Sequence, residues 1–184
     1  MSDKVLIFKD KNVNLKNTIN ILIIIMVISG ICGFIYETLF YRIDLGYFVK
    51  RGSTFGPWIP IYFFGGGLLA IFTYRFKDKP LIVFLLACLI TGVLEYGTGY
   101  VLDELFHTRL WDYNIEIWNF GNINGYICLR SILLFGFANL FLIYYVIPKL
   151  ISFSKKISED NLTCISIILL CLFVIDTVTY QIIR

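Results

Sequence analysis

Long apolar runs separated by short polar segments make up most of this chain. A transmembrane helix needs about 20 mainly apolar residues to cross roughly 30 Å of hydrocarbon, and five runs have about that length. Backbone polar groups in lipid must bond within their own segment, so the runs are predicted to be helices. Residues 21–27 lack the alternation of a barrel strand. The predicted transmembrane helices cover residues 18–40, 57–74, 80–101, 127–147 and 162–183.

The composition excludes a soluble protein. Hydrophobic residues form 58% of the 184 residues and charged residues only 16%, whereas soluble domains carry about 25% charged residues. A soluble fold of this size has too little interior to bury so much apolar surface. The same composition excludes a disordered chain and a disulfide scaffold. The predicted fold class is therefore all-α, a multi-pass membrane helix bundle in the lipid bilayer of the cell membrane.

Lysine and arginine are distributed unequally between the two predicted sides, and this bias predicts the orientation. The N-terminal tail, the 75–79 turn and the 148–161 loop share one side and carry ten of these residues. The other side carries five, including Lys50 and Arg51. The N-terminus is therefore predicted to be cytoplasmic. Because Lys50 and Arg51 lie on the less basic side, we expect either that they are functional or that part of residues 41–60 folds back into the bundle.

One domain is expected, because the chain contains no linker, internal repeat or low-complexity segment. Residues 1–17 are predicted to form a cytoplasmic tail and residues 18–184 a single five-helix transmembrane domain. The outer loop, at about residues 102–126, is rich in acidic and aromatic side chains, including Trp111 and Tyr113. Tryptophan prefers the headgroup level, so this loop is expected to lie along the membrane interface.

Four ionisable side chains fall inside the predicted spans, where each costs about 2.5–3.5 kcal/mol at the helix centre. Counting at about 1.5 Å per residue places all four in the same, outer half of the bilayer. They would share one leaflet even if the orientation were reversed. The four are Glu37, Glu95, Arg130 and Asp176.

Two interpretations of these charges remain open. In the functional one, they line an outward-facing polar pocket centred on Arg130, whose planar fork suits a carboxylate or phosphate. Glu37 or Glu95 would then clamp the arginine or exchange protons with a substrate. In the structural one, the charges pair with one another, with backbone groups or with headgroup water.

Other chemistry-bearing residues give weaker signals. His107 follows Asp103 and Glu104 at helical spacing, but one histidine on a solvated loop does not predict a metal site. The five cysteines form no C-x-x-C pair and are interpreted as small core residues. The glycines at 65–67 predict close helix contact. Nucleotide and hydrolase motifs do not occur, so neither a cofactor nor an enzyme is predicted. A net charge of +3 gives no reason to expect a nucleic acid partner.

Several short motifs agree in order with one bacterial membrane family. Residues 36–62 contain Tyr-Glu-Thr-Leu-Phe-Tyr, Gly-Tyr-Phe-Val-Lys-Arg-Gly, Gly-Pro and Pro-Ile-Tyr. Glu-Tyr-Gly-Thr-Gly follows at 95–99, Trp-Asp-Tyr at 111–113, and Asn-Gly-Tyr-Ile-Cys-Leu-Arg at 124–130. In this order and spacing, over roughly residues 30–150, the chain resembles the bacterial ABC-transporter permease family of the CmpB type.

The resemblance implies a membrane transport component. In the functional interpretation of the charges, the outward-facing pocket of this component would bind a small charged solute. Five helices are few for a transport pathway, so a separate ATPase subunit or a homo-oligomer is expected as partner. The motif positions and the charges at matching depth together give a hypothetical substrate-binding set, with Trp111, Tyr113 and Asp176 as secondary candidates. The primary candidates are Glu37, Arg51, Glu95, Asp112, Asn124 and Arg130.

Two other functions stay open. One is a membrane-embedded enzyme acting on a lipid-linked substrate, with Glu95 as general acid–base and Arg130 binding phosphate. The other is a non-catalytic assembly or accessory subunit, in which the charges only hold helices together.

Overall fold

The computed structural model describes residues 14–183, and all regular elements in that range are helices, which confirms the all-α prediction. A 3₁₀ turn follows the second α-helix, and a π-helical segment (Leu142–Val146) joins the fourth and fifth α-helices into one continuous helix. The predicted tail at 1–17 lies outside the described residues up to residue 13. The α-helices are α1 (Leu15–Leu45), α2 (Pro60–Thr73), α3 (Pro80–Phe106), α4 (Leu129–Phe141), α5 (Ile147–Ser154) and α6 (Glu159–Ile183).

Four helices among the described residues are long and apolar enough to cross a membrane: α1, α3, the continuous helix Leu129–Ser154, and α6. They match four of the five predicted spans, although α3 continues to Phe106, so the predicted 102–126 loop is observed at 107–128. The chain is thus a membrane protein by the length and composition of its helices.

The second predicted span, at 57–74, differs from the observed structure. Its helix α2 begins only at Pro60 and contains 14 residues, so it is about 21 Å long and cannot cross the hydrocarbon by itself. Residues 46–59 are not helical. Gly46 and Gly52 have positive φ angles of 80° and 82°, which glycine adopts without a steric penalty. Residues 57–59, which the apolar pattern placed in the predicted span, are therefore the part of it that is not helical before Pro60.

The described chain forms two compact units, and each is considered by itself. The terminal unit comprises residues 14–75 and 142–183, and the central unit comprises residues 76–141.

Helices α1 and α2 of the terminal unit pack antiparallel through glycines. Phe63 of α2 lies against Gly30 of α1, where an added Cβ would be 3.3 Å from the Cβ of Phe63. Further along, Gly66 of α2 faces Ser29 and leaves no room for a side chain. The predicted close contact is therefore confirmed for Gly66, whereas Gly65 faces open space.

Helices α1 and α6 of the terminal unit run in the same direction. The Asn14 amide donates to Glu159 at 2.6 Å where both helices begin. Two turns further on, the Asn20 amide donates to Thr163 at 2.9 Å and the Ser166 hydroxyl donates to the Asn20 oxygen at 2.8 Å. Positions that advance together along both helices are the mark of a parallel pair.

The central unit is an antiparallel pair of α3 and α4, with the loop 107–128 folded back along α3. Gly136 of α4 meets Phe84 near the start of α3, and Ser131 at the start of α4 meets Glu95 much further along. The rest of α3, about 16 Å at 1.5 Å per residue, is therefore covered by the loop. Trp111 and Tyr126 of the loop pack against Gly99 of α3.

We expect Gly66→Ala to lower the thermal midpoint of the protein in detergent, because the new methyl group would overlap Ser29. Overpacking of a tight contact costs about 1–3 kcal/mol. Gly65→Ala is the matched control, since an added Cβ there meets no atom within 4 Å. Equal midpoints for the two variants would contradict the observed α1–α2 contact.

Candidate functional site

Glu95 of α3 is a buried carboxylate bound by two hydroxyl groups. Only 8% of its surface is exposed. The Tyr113 hydroxyl donates to Oε1 at 2.8 Å, and the Ser131 hydroxyl lies 2.7 Å from both carboxylate oxygens. Tyr113 also lies 3.1 Å from Ser131. One helix, one loop and the start of a second helix therefore meet at this carboxylate.

Arg130 is the neighbour of Ser131 on α4 and forms an ion pair with a loop residue. Its Nη2 lies 2.7 Å from Oε2 of Glu116, and its Nη1 donates to the Ile117 carbonyl at 3.1 Å. The side chains of the pair are only 13% and 4% exposed. The guanidinium also lies over the Tyr113 ring, 5.5 Å from its centroid. Removing one partner of an ion pair with this little exposure strongly destabilises the folded protein, because the other charge stays buried without compensation.

Arg109 organises the loop itself. Its guanidinium lies 3.3 Å from Asp103 and 3.3 Å from Asp112, and it donates to the Asn124 carbonyl at 2.7 Å. Asn124 has a positive φ of 55° and is followed by Gly125 with a φ of 75°. An added Cβ at Gly125 would overlap the side chains around Arg109. The tight turn at 124–125 is thus required for the carbonyl to reach the arginine.

Aromatic side chains attach this loop to α3. The Trp111 indole donates to the Tyr126 carbonyl at 3.0 Å, and the Tyr126 hydroxyl donates to Asp103 at 2.9 Å. The Asn124 amide donates to the Tyr96 hydroxyl at 3.2 Å. The loop is therefore a folded element held to one helix, with its own network of hydrogen bonds.

Burial raises the pKa of Tyr113 well above its ordinary value, and the neighbouring Glu95 charge raises it further. The phenol therefore keeps its proton throughout the neutral range. It can therefore donate a hydrogen bond to the ionised Glu95 carboxylate at neutral pH.

The terminal unit has its own ion pair. Nε of Arg51, in the non-helical segment 46–59, donates to Oε2 of Glu37 at 2.9 Å, and the two side chains are 21% and 16% exposed. The Arg51 guanidinium also lies 3.7 Å from the centroid of the Tyr41 ring. The segment is thereby held against the C-terminal part of α1.

Asp176 of α6 accepts three hydrogen bonds from the same segment. The backbone N–H groups of Phe55 and Gly56 donate at 3.1 Å and 3.0 Å, and the Trp58 indole donates at 2.6 Å. The Ile59 N–H donates to the Gly30 carbonyl at 3.1 Å. These backbone N–H groups lie outside any helix or strand. Their hydrogen-bond acceptors are the Asp176 carboxylate and the Gly30 carbonyl.

The candidate residues are distributed over both units. In the central unit, Tyr113 donates directly to Glu95. Arg130 directly precedes Ser131, the other partner of Glu95, on α4. Asp112 and Asn124 meet Arg109, while Trp111 supports the loop. In the terminal unit, Glu37 binds Arg51 and Asp176 binds the 55–58 backbone. The shared pocket centred on Arg130 stays a prediction.

Three residues of these networks were not singled out from the sequence. They are Glu116 and Arg109, two charged residues of the loop, and Ser131, for which the sequence holds no signal. Arg130 binds Glu116 with its guanidinium, whereas Glu95 accepts from hydroxyls. The single available signal was that Glu116 is the acidic residue of the loop nearest in sequence to Arg130.

Metal ligands do not cluster in the described part of the chain. Between residues 14 and 183, no group of three His, Cys, Asp or Glu side chains is placed to hold a metal ion. His107 has a positive φ of 50° and ends α3. Asp103 of the hypothetical metal face binds Arg109 and Tyr126 instead.

We expect Arg130→Met to lower the free energy of unfolding by about 3–5 kcal/mol, because Glu116 would stay buried without its guanidinium. The double variant Arg130→Met with Glu116→Leu should lose less than the sum of the single losses. Denaturant unfolding in detergent gives these values. Lys16→Met serves as the control, since its partner Glu159 and Lys16 itself are exposed and such pairs contribute little. A control loss as large as that of Arg130→Met would refute the assignment.

The family of this chain follows from its similarity to a known protein family. The chain matches no curated protein and no solved structure significantly. The sequence model of the family described as "Putative ABC-transporter type IV", of the CmpB type, matches residues 23–180. This range includes most of α6, which lies beyond the 30–150 stretch of the resembling motifs. Because the match covers most of the chain, the protein belongs to this family of CmpB-type ABC-transporter proteins and is a transport-related membrane component.

Proposed function

We propose that this chain is a membrane subunit of a transport system that binds a small charged or zwitterionic solute from the outer side. One observation carries the proposal: in each unit, non-helical backbone bearing ionisable side chains folds back along a membrane helix. Such backbone is tolerated at membrane depth only where protein buries it or where it lines a watery cavity. Broken elements near the bilayer centre form the solute sites of many transporters.

The parallel direction of α1 and α6 supports five crossings of the bilayer. If only the four long helices crossed, successive helices would alternate and α6 would run opposite to α1. A further crossing by residues 46–73 restores the observed direction. Helix α2 supplies about 21 Å of it, and a few extended residues before Pro60 span the remainder at about 3.3 Å each.

The hydrogen bonds of the 46–59 segment support its placement at membrane depth. Asp176 accepts from two of its backbone N–H groups, and the Thr54 hydroxyl donates to the Trp58 carbonyl at 2.6 Å. Backbone groups in hydrocarbon must be bonded within the protein. The distribution of lysine and arginine supports a cytoplasmic N-terminus, as ten of them fall on the side of the tail.

Arg130 is the proposed solute anchor of the central unit. Its guanidinium fork already holds the Glu116 carboxylate at 2.7 Å, so a solute carboxylate or phosphate has the chemistry to replace Glu116. Glu95, Asp112 and Asn124 would line the same region beneath the loop. In the terminal unit, Glu37 and Arg51 form a second exchangeable pair of the same chemistry.

A separate ATPase subunit is the proposed partner in the cell membrane, since membership of an ABC-transporter family supports an ATP-driven system. A homo-oligomer is an alternative partner, because five helices are few for a transport pathway. A second candidate function is that of an assembly subunit without solute, favoured by the pairing of Glu37, Arg130 and Asp176 within their own units. The enzyme stays an open alternative. Product formation from a lipid-linked substrate in liposomes would support it.

Cysteine accessibility tests the five-crossing topology. In an otherwise cysteine-free chain, we expect Tyr47→Cys to react with a membrane-impermeant thiol reagent in intact cells, and Asp78→Cys to react only after permeabilisation. Five crossings place these positions on opposite sides. Thr108→Cys, in the loop after α3, is the control and should behave as Tyr47→Cys. Reaction of both Tyr47→Cys and Asp78→Cys from the same side would mean that residues 46–73 do not cross.

Thermal shift with small anions tests the solute anchor. A ligand at 100 times its Kd stabilises its protein by about 2.7 kcal/mol. We therefore expect at least one of acetate, inorganic phosphate, glycine or glutamate to raise the thermal midpoint of the full chain in detergent. Arg130→Met should abolish that shift, and Lys16→Met should retain it. An equal shift in Arg130→Met would refute the anchor, and no shift with any probe would favour the assembly subunit.

A further inference from the structure

Glu95 differs from the other acidic side chains buried in the two units by the groups that bind it. Glu37 and Glu116 each bind an arginine, and Asp176 accepts from three N–H groups. Among the described residues, the Glu95 carboxylate is bound only by the hydroxyls of Tyr113 and Ser131. Within residues 14–183, no lysine or arginine nitrogen lies within 4.0 Å of it.

Hydroxyl partners suit a carboxyl group in both of its protonation states. A hydroxyl donates to an ionised carboxylate and accepts from a protonated one. Ser131, which is 2.7 Å from both oxygens of Glu95, is placed to change roles without any change of position. An arginine or a backbone N–H, by contrast, can only donate, so it holds its carboxylate in the ionised form.

The charged neighbours of Glu95 leave its charge without a dedicated counter-ion. Glu116 and Arg130 act on it from the loop and from α4, and they are bound to each other at 2.7 Å. The remaining titratable groups around the cluster are Tyr113 and the Cys128 thiol. A buried ionised carboxylate without a counter-ion is costly in apolar surroundings, and it commonly becomes neutral instead.

We propose that Glu95 is a proton-binding site of the central unit, with Ser131 and Tyr113 as the hydroxyls that accommodate both forms of the carboxyl group. Proton uptake removes the charge that the Tyr113 hydroxyl binds and so weakens one attachment of the loop 107–128 to α3. Proton binding at Glu95 is thereby linked to how firmly the loop is held. This site does not depend on the proposed transport function, because protons bind whether or not a solute moves.

Carbodiimide labelling tests the site in the full chain. Dicyclohexylcarbodiimide is an apolar reagent that modifies protonated carboxyl groups in membranes, and mass spectrometry of peptides locates the modification. In liposomes, we expect Glu95 to be labelled, with a yield that falls severalfold from mildly acidic to alkaline pH. Glu37 and Glu116 are internal controls, since each binds an arginine, and both should stay unlabelled over the same range.

Two conservative variants separate proton binding from a merely structural role. Both hydroxyls favour the ionised form when they donate to it, so Ser131→Ala and Tyr113→Phe should each extend Glu95 labelling to higher pH. Lys16→Met should leave the Glu95 profile unchanged, because Lys16 forms an exposed pair with Glu159. The labelling of the wild-type chain does not depend on whether any variant folds. Absence of Glu95 labelling, a yield independent of pH, or equal labelling of Glu116 would overturn the proposal.

Discussion

The requirement that every polar backbone group and every charge be satisfied inside the protein governs this structure. Two stretches of the chain leave helical geometry beside long apolar helices, residues 46–59 and residues 107–128. In lipid such backbone is permitted only when protein groups replace water. Asp176 meets this need in the terminal unit, and Arg109 meets it in the central unit. The polar residues of these apolar segments are thus the means by which irregular backbone is held.

The two units solve the same problem in similar ways. In each, a long helix carries a glutamate in its C-terminal half, and the following segment folds back to reach it, through Arg51 at Glu37 and through Tyr113 at Glu95. In each, aromatic rings cover a glycine of the long helix. Such a likeness between two hairpins has no counterpart in a repeated sequence, because folding back demands small residues and turns rather than one fixed motif. It gives each unit a polar site beside non-helical backbone, which is what the transport proposal uses.

The nature of each polar partner divides these sites by what they can do. Arginine and N–H groups donate only, and they are the groups that bind Glu37, Glu116 and Asp176, so these three carboxylates are assigned to binding or to structure. Hydroxyls both donate and accept, so Glu95 is bound without being fixed in one state. The π-helical segment that follows α4 is a further local irregularity in the helix that bears Arg130 and Ser131. Such segments are frequent at functional sites.

The sequence by itself determined the helical class and the membrane environment, because apolar length can be counted along the chain, whereas the common depth of the four intramembrane charges stays a prediction. Through Lys50 and Arg51 it also left two alternatives, that these residues are functional or that part of 41–60 folds back. Only the tertiary structure decided that α2 begins at Pro60, that Arg130 meets Glu116, and that Glu95 meets Tyr113 and Ser131. Glu116 and Tyr113 lie on a non-periodic segment, and where such a segment folds back depends on turns and close packing over many residues rather than on any local pattern.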